Sequence, residues 1–166
     1  MQAFTYVGPE EIRVRSCTAP SGTPILSRPE IVAWLRSQDA DEDGWATYVV
    51  NVRGSLVVAP RRSEHVACAG GEAVLAAGEV LFESDGTVSA ITNNSTGYCP
   101  AETCWSAVSL ALDAAQLPRP EAFTFVAVFR CCPHCGERNL VKDDWFVCAL
   151  CDTELPREWN FHTEQP

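Results

Sequence analysis

Two pairs of cysteines near the C-terminus are the residues whose type and spacing most directly predict chemistry. Cys132 and Cys135 form one C-x2-C pair, and Cys148 and Cys151 form a second. A tetrahedral Zn²⁺ site needs four ligands, with zinc–sulfur distances of about 2.3 Å, and one C-x2-C turn can present two sulfurs to the same metal. Because cysteines fill all four positions and leave no coordination position open, the spacing predicts a structural Zn²⁺ rather than a catalytic one.

The residues around the first pair strengthen this prediction. The run Cys132-Pro-His-Cys-Gly136 resembles the first knuckle of the zinc-ribbon family, and its glycine can take the positive φ that lets backbone amides point at sulfur. The second knuckle has Asp152 where a glycine is common in that family. Between the knuckles, we predict a hairpin formed by strands at 139–142 and 145–148, which returns the second pair to the first.

A second group of chemistry-bearing residues lies before the zinc ribbon, and it suggests a catalytic alternative. Zinc deaminases take one metal ligand from an H-x-E motif and two from a later P-C-x-x-C motif that opens a helix. His65, followed by Cys99 and Cys104 around a predicted helix start, is similar to that family in order and spacing. The glutamate of H-x-E is absent, since Val66 and Ala67 follow the histidine, and the two cysteines are spaced C-x4-C.

A thiol hydrolase is another possible interpretation of the same cysteines. Cys104-Trp105 at a helix start resembles the Cys-Trp pair of papain-like peptidases, in which the helix dipole favours a thiolate. The glycine and serine that precede the cysteine in that family are missing, and His65 comes before the cysteine rather than after it. A buried, apolar role for Cys104 is the plainer interpretation.

The block from Gly78 to Pro100 resembles a hairpin-and-turn block of some bacterial toxin-associated domains. Its Asp-Gly pair at 85–86 is typical of a type I′ hairpin turn, and Ser95-Thr-Gly-Tyr98 follows. The resemblance implies a polar site lined by Asn94, Ser95 and Tyr98 with His65. The alternative is a turn whose Asn and Ser side chains bond their own backbone.

These candidate residues require a scaffold, and the sequence predicts an α+β fold in which antiparallel β-hairpins pack with two helices. A capping-box pattern and apolar spacing place one helix at 27–37, and a second is predicted at 100–117. Alternating apolar residues predict the remaining elements: an edge strand near Ile12 and Val14, hairpins at 46–52/55–59 and 79–84/87–92, and a strand at 123–129. An acidic run at 39–44 predicts a solvated loop. We expect a core domain at 1–130 and a zinc ribbon with a C-terminal tail at 131–166.

Composition disfavours several classes of function. The chain has 166 residues, with 22 acidic against 12 basic side chains and a net charge of −10. A nucleic-acid or anionic-membrane binder needs a basic surface, so both are disfavoured. The N-terminus has no secretory signal, and no apolar run approaches the roughly 20 residues that span a bilayer. We therefore expect a cytoplasmic protein, in which the nine cysteines stay reduced.

The sequence favours a zinc-binding, cytosolic bacterial accessory protein that binds a protein partner, with its acidic surface selecting a basic one. Composition suggests a bacterial source. Of the 12 basic residues only Lys142 is lysine, and such a preference for arginine is associated with the codon usage of GC-rich bacterial genomes. The alternative is a hydrolase of zinc-deaminase or thiol type that uses His65, Cys99 and Cys104, so whether the protein is an enzyme stays open. Cys17, Cys68 and Cys131 receive no role from the sequence.

Overall fold

A computed structural model describes residues 1–38 and 43–161 of the chain. Most of the acidic run at 39–44 and the last five residues of the predicted C-terminal unit therefore lie outside the described residues. The described chain is an α+β structure, as the sequence predicts. Its elements are α1 (Glu10–Ser16), β1 (Thr23–Ile25), α2 (Arg28–Ser37), β2 (Trp45–Asn51), β3 (Leu56–Pro60), α3 (His65–Cys68), β4 (Val74–Phe82), β5 (Val88–Ile91), α4 (Trp105–Ala114), β6 (Val128–Cys131) and β7 (Arg138–Val141).

The centre of the fold is a five-stranded antiparallel sheet with strand order β1-β3-β2-β4-β5. Strand β2 pairs with β3 through the first predicted hairpin and with β4 on its other side. Its residues Tyr48, Val49 and Val50 are completely buried, which is expected for a central strand covered on both faces. Helix α4 packs against β2, β3 and β4. None of the helices in the described residues has the length and apolarity needed to cross a membrane.

The second predicted hairpin forms with a different turn from the one expected. Glu83 donates its amide to the carbonyl of Thr87 at 2.8 Å, and the Gly86 amide bonds back to the Glu83 carbonyl at 2.9 Å. Only Gly86 has a positive φ, of 86°, whereas a type I′ turn needs positive φ at both central residues. The prediction of a hairpin is confirmed. The prediction of a type I′ turn is wrong, because the loop between Glu83 and Thr87 is longer than a two-residue turn and contains a single residue with positive φ.

The helix predicted at 27–37 is confirmed as α2, although its cap differs from the predicted one. Ser27 makes no side-chain capping hydrogen bond. The carboxylate of Glu30 instead accepts the amide of Leu26 at 2.8 Å, one residue before the expected partner. The edge strand predicted near Ile12 and Val14 is wrong, since both residues lie in α1. In α1 the acidic residues lie in the first turn and the arginines in the last, an order that the helix dipole favours. This charge order is a stronger indication of a helix than two alternating apolar residues are of a strand.

The chain after the second sheet hairpin departs most from prediction. The helix expected at 100–117 starts as a 3₁₀ turn at Glu102–Cys104 and becomes α-helical only in α4. The strand expected at 123–129 is largely wrong, because only its last two residues are in a strand, β6. Upstream of β6, the buried side chain of Asn93 holds the backbone of Ala127, donating to its carbonyl at 2.8 Å and accepting its amide at 2.6 Å.

Strand β6 leads directly into the first cysteine pair and pairs with β7. The predicted hairpin between the knuckles is therefore wrong in its pairing, because β7 bonds to the strand before the first knuckle. The turn at Asp143 and Asp144 does form, with φ values of 52° and 53° and a 2.9 Å bond from the Trp145 amide to the Lys142 carbonyl. Residues 145–148 form no strand beyond one bridge from Val147 to Glu154.

Candidate metal centre

The four predicted ligands lie together at the C-terminal end of the fold. The sulfurs of Cys132 and Cys151 are 3.6 Å apart, as are those of Cys135 and Cys148, and all four lie within 4.8 Å of one another. Four sulfurs placed 2.3 Å from a zinc ion at tetrahedral corners are about 3.8 Å apart. The four cysteines are thus positioned to hold a metal ion, and their soft sulfur donors fit the preference of Zn²⁺.

Two knuckles with the same backbone pattern deliver these sulfurs. In the first, residues 132–137, the Cys132 amide donates to the Glu137 carbonyl at 2.8 Å, and the Gly136 amide returns to the Cys132 carbonyl at 2.9 Å. In the second, residues 148–153, the equivalent bonds are Cys148 to Thr153 at 2.8 Å and Asp152 to Cys148 at 3.0 Å. This repetition means that each C-x2-C pair is held by its own hydrogen-bonded turn.

Asp152 takes the conformation for which the first knuckle uses glycine. Its φ is 60°, close to the 75° of Gly136. Aspartate is among the few residues with a side chain that visit the left-handed region regularly. The departure of the second knuckle from the zinc-ribbon pattern therefore leaves the turn unchanged.

The knuckles also supply part of the electrostatic stabilisation that thiolates need. Burial acts to raise the pKa of Cys148, but the amides of Leu150 and Cys151 and the side chain of Asn139 lower it below its usual value. Burial likewise opposes ionisation of Cys132, and the amides of Cys135 and His134 outweigh it and lower its pKa. Amides aimed at sulfur favour the charged form in which cysteine binds a metal.

Asn139 on β7 connects the two knuckles, and sequence reasoning missed it. Its side-chain nitrogen donates to the Glu137 carbonyl at 3.0 Å and to the Cys148 sulfur at 3.6 Å. Its side-chain oxygen accepts the Ala149 amide at 2.9 Å. An asparagine at a strand start carries no distinctive sequence signal, so only the approach of the two knuckles reveals this role.

Replacing Asn139 with alanine is expected to weaken metal binding at the four cysteines by about 10- to 100-fold, the usual effect of removing a residue that orients metal ligands. Competition against a chromophoric chelator measures this affinity. Asn94→Ala is the matched control, because the Asn94 side chain contacts neither knuckle, and its affinity should equal that of the unmodified protein. An Asn139→Ala affinity within threefold of the unmodified protein would contradict the role.

Cys131 lies beside the four ligands but faces another way. Its sulfur lies 3.6 Å from the Gly136 carbonyl and 3.9 Å from the Cys132 carbonyl, on the backbone side of the first knuckle. Its amide and carbonyl bond to the side chain of Asn160 at 2.8 and 2.7 Å. Cys131 therefore contributes to the attachment of the C-terminal segment, and Cys132 is the residue that joins Cys135.

The aromatic residues near the C-terminus divide into two groups. Trp159 donates its indole N–H to the Cys99 carbonyl at 2.8 Å and packs edge-on against Phe4, and Phe161 is buried beside Phe129. Trp145, in contrast, is 70% exposed. The C-terminal segment thus packs on the core through Trp159 and Phe161, and Trp145 takes no part in that packing.

The four residues of the predicted catalytic alternative are each bonded to a backbone carbonyl or buried. His65 donates Nε2–H to the Gly78 carbonyl at 2.9 Å, and burial lowers its pKa. Tyr98 donates its hydroxyl to the Glu72 carbonyl at 2.7 Å. Burial raises the thiol pKa of Cys99 and of Cys104 to about 12 in each case.

These four side chains form no common metal site in the part of the chain that the structure describes, where the only such group is the four-cysteine cluster. Cys104 belongs to the main hydrophobic core with Tyr98, and Cys99 belongs to a separate cluster with Ala127 and Phe129. Raised thiol pKa values are opposite to those of an activated nucleophile. The polar site predicted around Asn94, Ser95 and Tyr98 is a separate case. Ser95 is buried there, and its hydroxyl has no hydrogen-bond partner among the described residues.

Comparison with known proteins gives no assignment, since no family model, no curated protein and no solved structure matches this chain.

Proposed function

We propose that this protein is a cytoplasmic bacterial accessory protein that binds a protein partner and whose Zn²⁺ ion has a structural role. Cys132, Cys135, Cys148 and Cys151 would hold the ion. Support for zinc comes from four converging sulfurs in two hydrogen-bonded knuckles. Four cysteine ligands are typical of structural zinc sites, in which no coordination position is left open for a substrate. We further propose that residues 1–130 and 131–166 are separate units, joined through β6 at their boundary.

The observation that carries the partner-binding function is an apolar groove beside the metal centre. The groove has a volume of about 510 Å³ and lies between the segment that precedes β6 and the end of β7. Phe125 and Val126, which are 54% and 44% exposed, form one side. Val128 and Val141 are cross-strand partners on one face of the small sheet, and together with Leu140 they line the other side.

The charge at the groove indicates the chemistry of its occupant. Asp143 and Asp144 line one end, with Lys142 as the only basic residue of the groove. The whole chain has a net charge of −10, and four thiolates with one Zn²⁺ add two further negative charges. An apolar segment followed by basic residues complements this surface, so the proposed occupant is such a segment of a partner protein.

Binding of a labelled peptide with three leucines followed by two arginines tests this function. Fluorescence anisotropy at low salt should show saturable binding, at least tenfold tighter than for the same peptide with two glutamates. Added salt should reduce the difference, because exposed charges are screened. Phe125→Ser should weaken binding of the basic peptide by about tenfold or more, as expected when an aromatic anchor is lost.

Matched controls separate the groove from general stickiness. Leu110→Ser changes a residue that is 57% exposed on α4 and should leave peptide affinity unchanged. Asp143→Asn and Asp144→Asn keep a residue suited to left-handed φ and should reduce the preference for arginine over glutamate. Equal binding of both peptides, or a homodimer that Phe125→Ser dissociates, would overturn the proposal.

The hydrolase alternative based on His65, Cys99 and Cys104 has no comparable support. Backbone carbonyls accept hydrogen bonds from the His65 ring and the Cys99 thiol, and both thiols have raised pKa values. We therefore place the function at the groove and the metal centre.

A further inference from the structure

A second cavity lies outside the metal centre and the groove, and residues from the first half of the chain line it. It has a volume of about 310 Å³, at the lower end of the range for small-molecule pockets, roughly 300–1,000 Å³. The end of α1, the turn that follows it, the end of β3 and the start of α3 enclose it. Its polar lining consists chiefly of Arg15, Ser16, Ser21, Arg62, Ser63 and Glu64.

The two arginines of this cavity, Arg15 and Arg62, have no acidic partner among the described residues. The chain has 22 acidic side chains, and ion pairs within residues 1–38 and 43–161 include those of Arg13, Arg28, Arg119 and Arg130. Arg15 and Arg62 form none with any residue in the described ranges, and neither is bonded to Glu64, which lines the same cavity. A carboxylate is thus available nearby, and yet both guanidinium groups keep their full hydrogen-bonding capacity.

Three serines line the same cavity as the two arginines. Ser16 is 8% exposed, and Ser21 and Ser63 complete the set. Within residues 1–38 and 43–161, none of the three hydroxyls has a hydrogen-bond partner. Two planar guanidinium groups and three free hydroxyls offer more donors than the two oxygens of a carboxylate can use, and a phosphate group with three terminal oxygens can accept more of them.

The remaining wall of the cavity is apolar. Val58, Ala59 and Pro60 of β3 and Ala67 of α3 line it. A small ligand of mixed character therefore fits best, with its charged group against the arginines and an uncharged body against β3. We propose that this cavity binds the phosphate group of a small phosphorylated molecule, with Arg15 and Arg62 as the anion-binding residues.

Titration of the zinc-loaded protein with inorganic phosphate, followed by calorimetry at constant ionic strength, tests the proposal. One phosphate should bind per chain, and acetate at the same concentration should bind at least tenfold more weakly. Arg15→Gln and Arg62→Gln should each weaken phosphate binding by about tenfold or more, and the double variant should abolish it. Both residues are exposed, so circular dichroism should show unchanged folding.

Arg53→Gln is the matched control, since Arg53 is an exposed arginine of the β2–β3 turn that lies outside the cavity. Its phosphate affinity should stay within twofold of that of the unmodified protein. The proposal is overturned if Arg53→Gln weakens binding as much as Arg62→Gln, if acetate binds as tightly as phosphate, or if both cavity variants bind normally. Peptide binding in the groove beside β7 should be the same in all four variants, which keeps this test independent of the proposed function.

Discussion

Replacing Cys132 with serine is expected to abolish stoichiometric zinc binding and to unfold the cysteine-rich segment, residues 128–155. Apart from Phe129, which packs with Cys99 and Ala127 of the core, the buried hydrophobic residues of this segment are Cys132, Cys148 and Leu155, and two of these three are themselves predicted metal ligands. So small a core cannot offset the conformational entropy of ordering the segment, and metal binding supplies the folding free energy. Loss of one thiolate should lower zinc affinity by about 1,000-fold or more, which corresponds to about 4 kcal/mol.

Elemental analysis and hydrogen exchange measure the two parts of this prediction. The unmodified protein should contain one zinc per chain, and Cys132→Ser should contain none after dialysis. The Gly136 and Asp152 amides, which close the knuckles, should lose protection from exchange, and amides of β2 and β4 should keep it. A chelator added to the unmodified protein should produce the same pattern.

Cys131→Ser is the matched control for this experiment, because it changes the neighbouring thiol, which faces the backbone side of the knuckle. It should retain one zinc per chain and the exchange pattern of the unmodified protein. If Cys132→Ser keeps zinc and Cys131→Ser loses it, the assignment of the ligand at this knuckle is wrong. Two zinc ions per chain in the unmodified protein would contradict a purely structural metal site.

The second large effect is expected at Arg130, which joins the small sheet to the core. Its guanidinium group donates to the carbonyls of Phe129 at 2.7 Å and Arg157 at 2.6 Å, and to the carboxylate of Glu102 at 3.0 Å. The Arg130 side chain is 5% exposed and that of Glu102 is 31% exposed. Removing one partner of a buried ion pair usually costs 3–5 kcal/mol, because the other polar groups stay buried without a partner.

Arg130→Met should therefore lower the free energy of unfolding by about 3 kcal/mol, at the lower end of that range because Glu102 retains access to water. Urea unfolding followed by tryptophan fluorescence measures the change. Glu102→Gln should cost about 1 kcal/mol, since the bonds from Arg130 to the carbonyls remain. Arg13→Ala removes an exposed ion pair with Glu10 and should leave the free energy of unfolding nearly unchanged, because solvent screens such a pair. An Arg130→Met protein as stable as Arg13→Ala would contradict the role of Arg130.

The sequence alone determined the features that depend on residues close together in the chain. The spacing of the four cysteines identified the ligands, because each C-x2-C turn is a local structure. Local alternation and turn residues located both hairpins of the main sheet, and apolar spacing located α2. The aspartates at 143 and 144 marked a turn for the same reason.

Tertiary structure alone decided the features that depend on contacts between distant parts of the chain. Ala127 lies outside a strand because the side chain of Asn93 takes both of its backbone hydrogen bonds, and β7 pairs with β6 because Asn139 and the two knuckles fix its position. Arg130 shows no sequence feature that separates it from the other arginines, and its importance comes from carbonyls 27 residues away. Hydrogen bonds across such separations carry no local pattern, so only the folded chain specifies them.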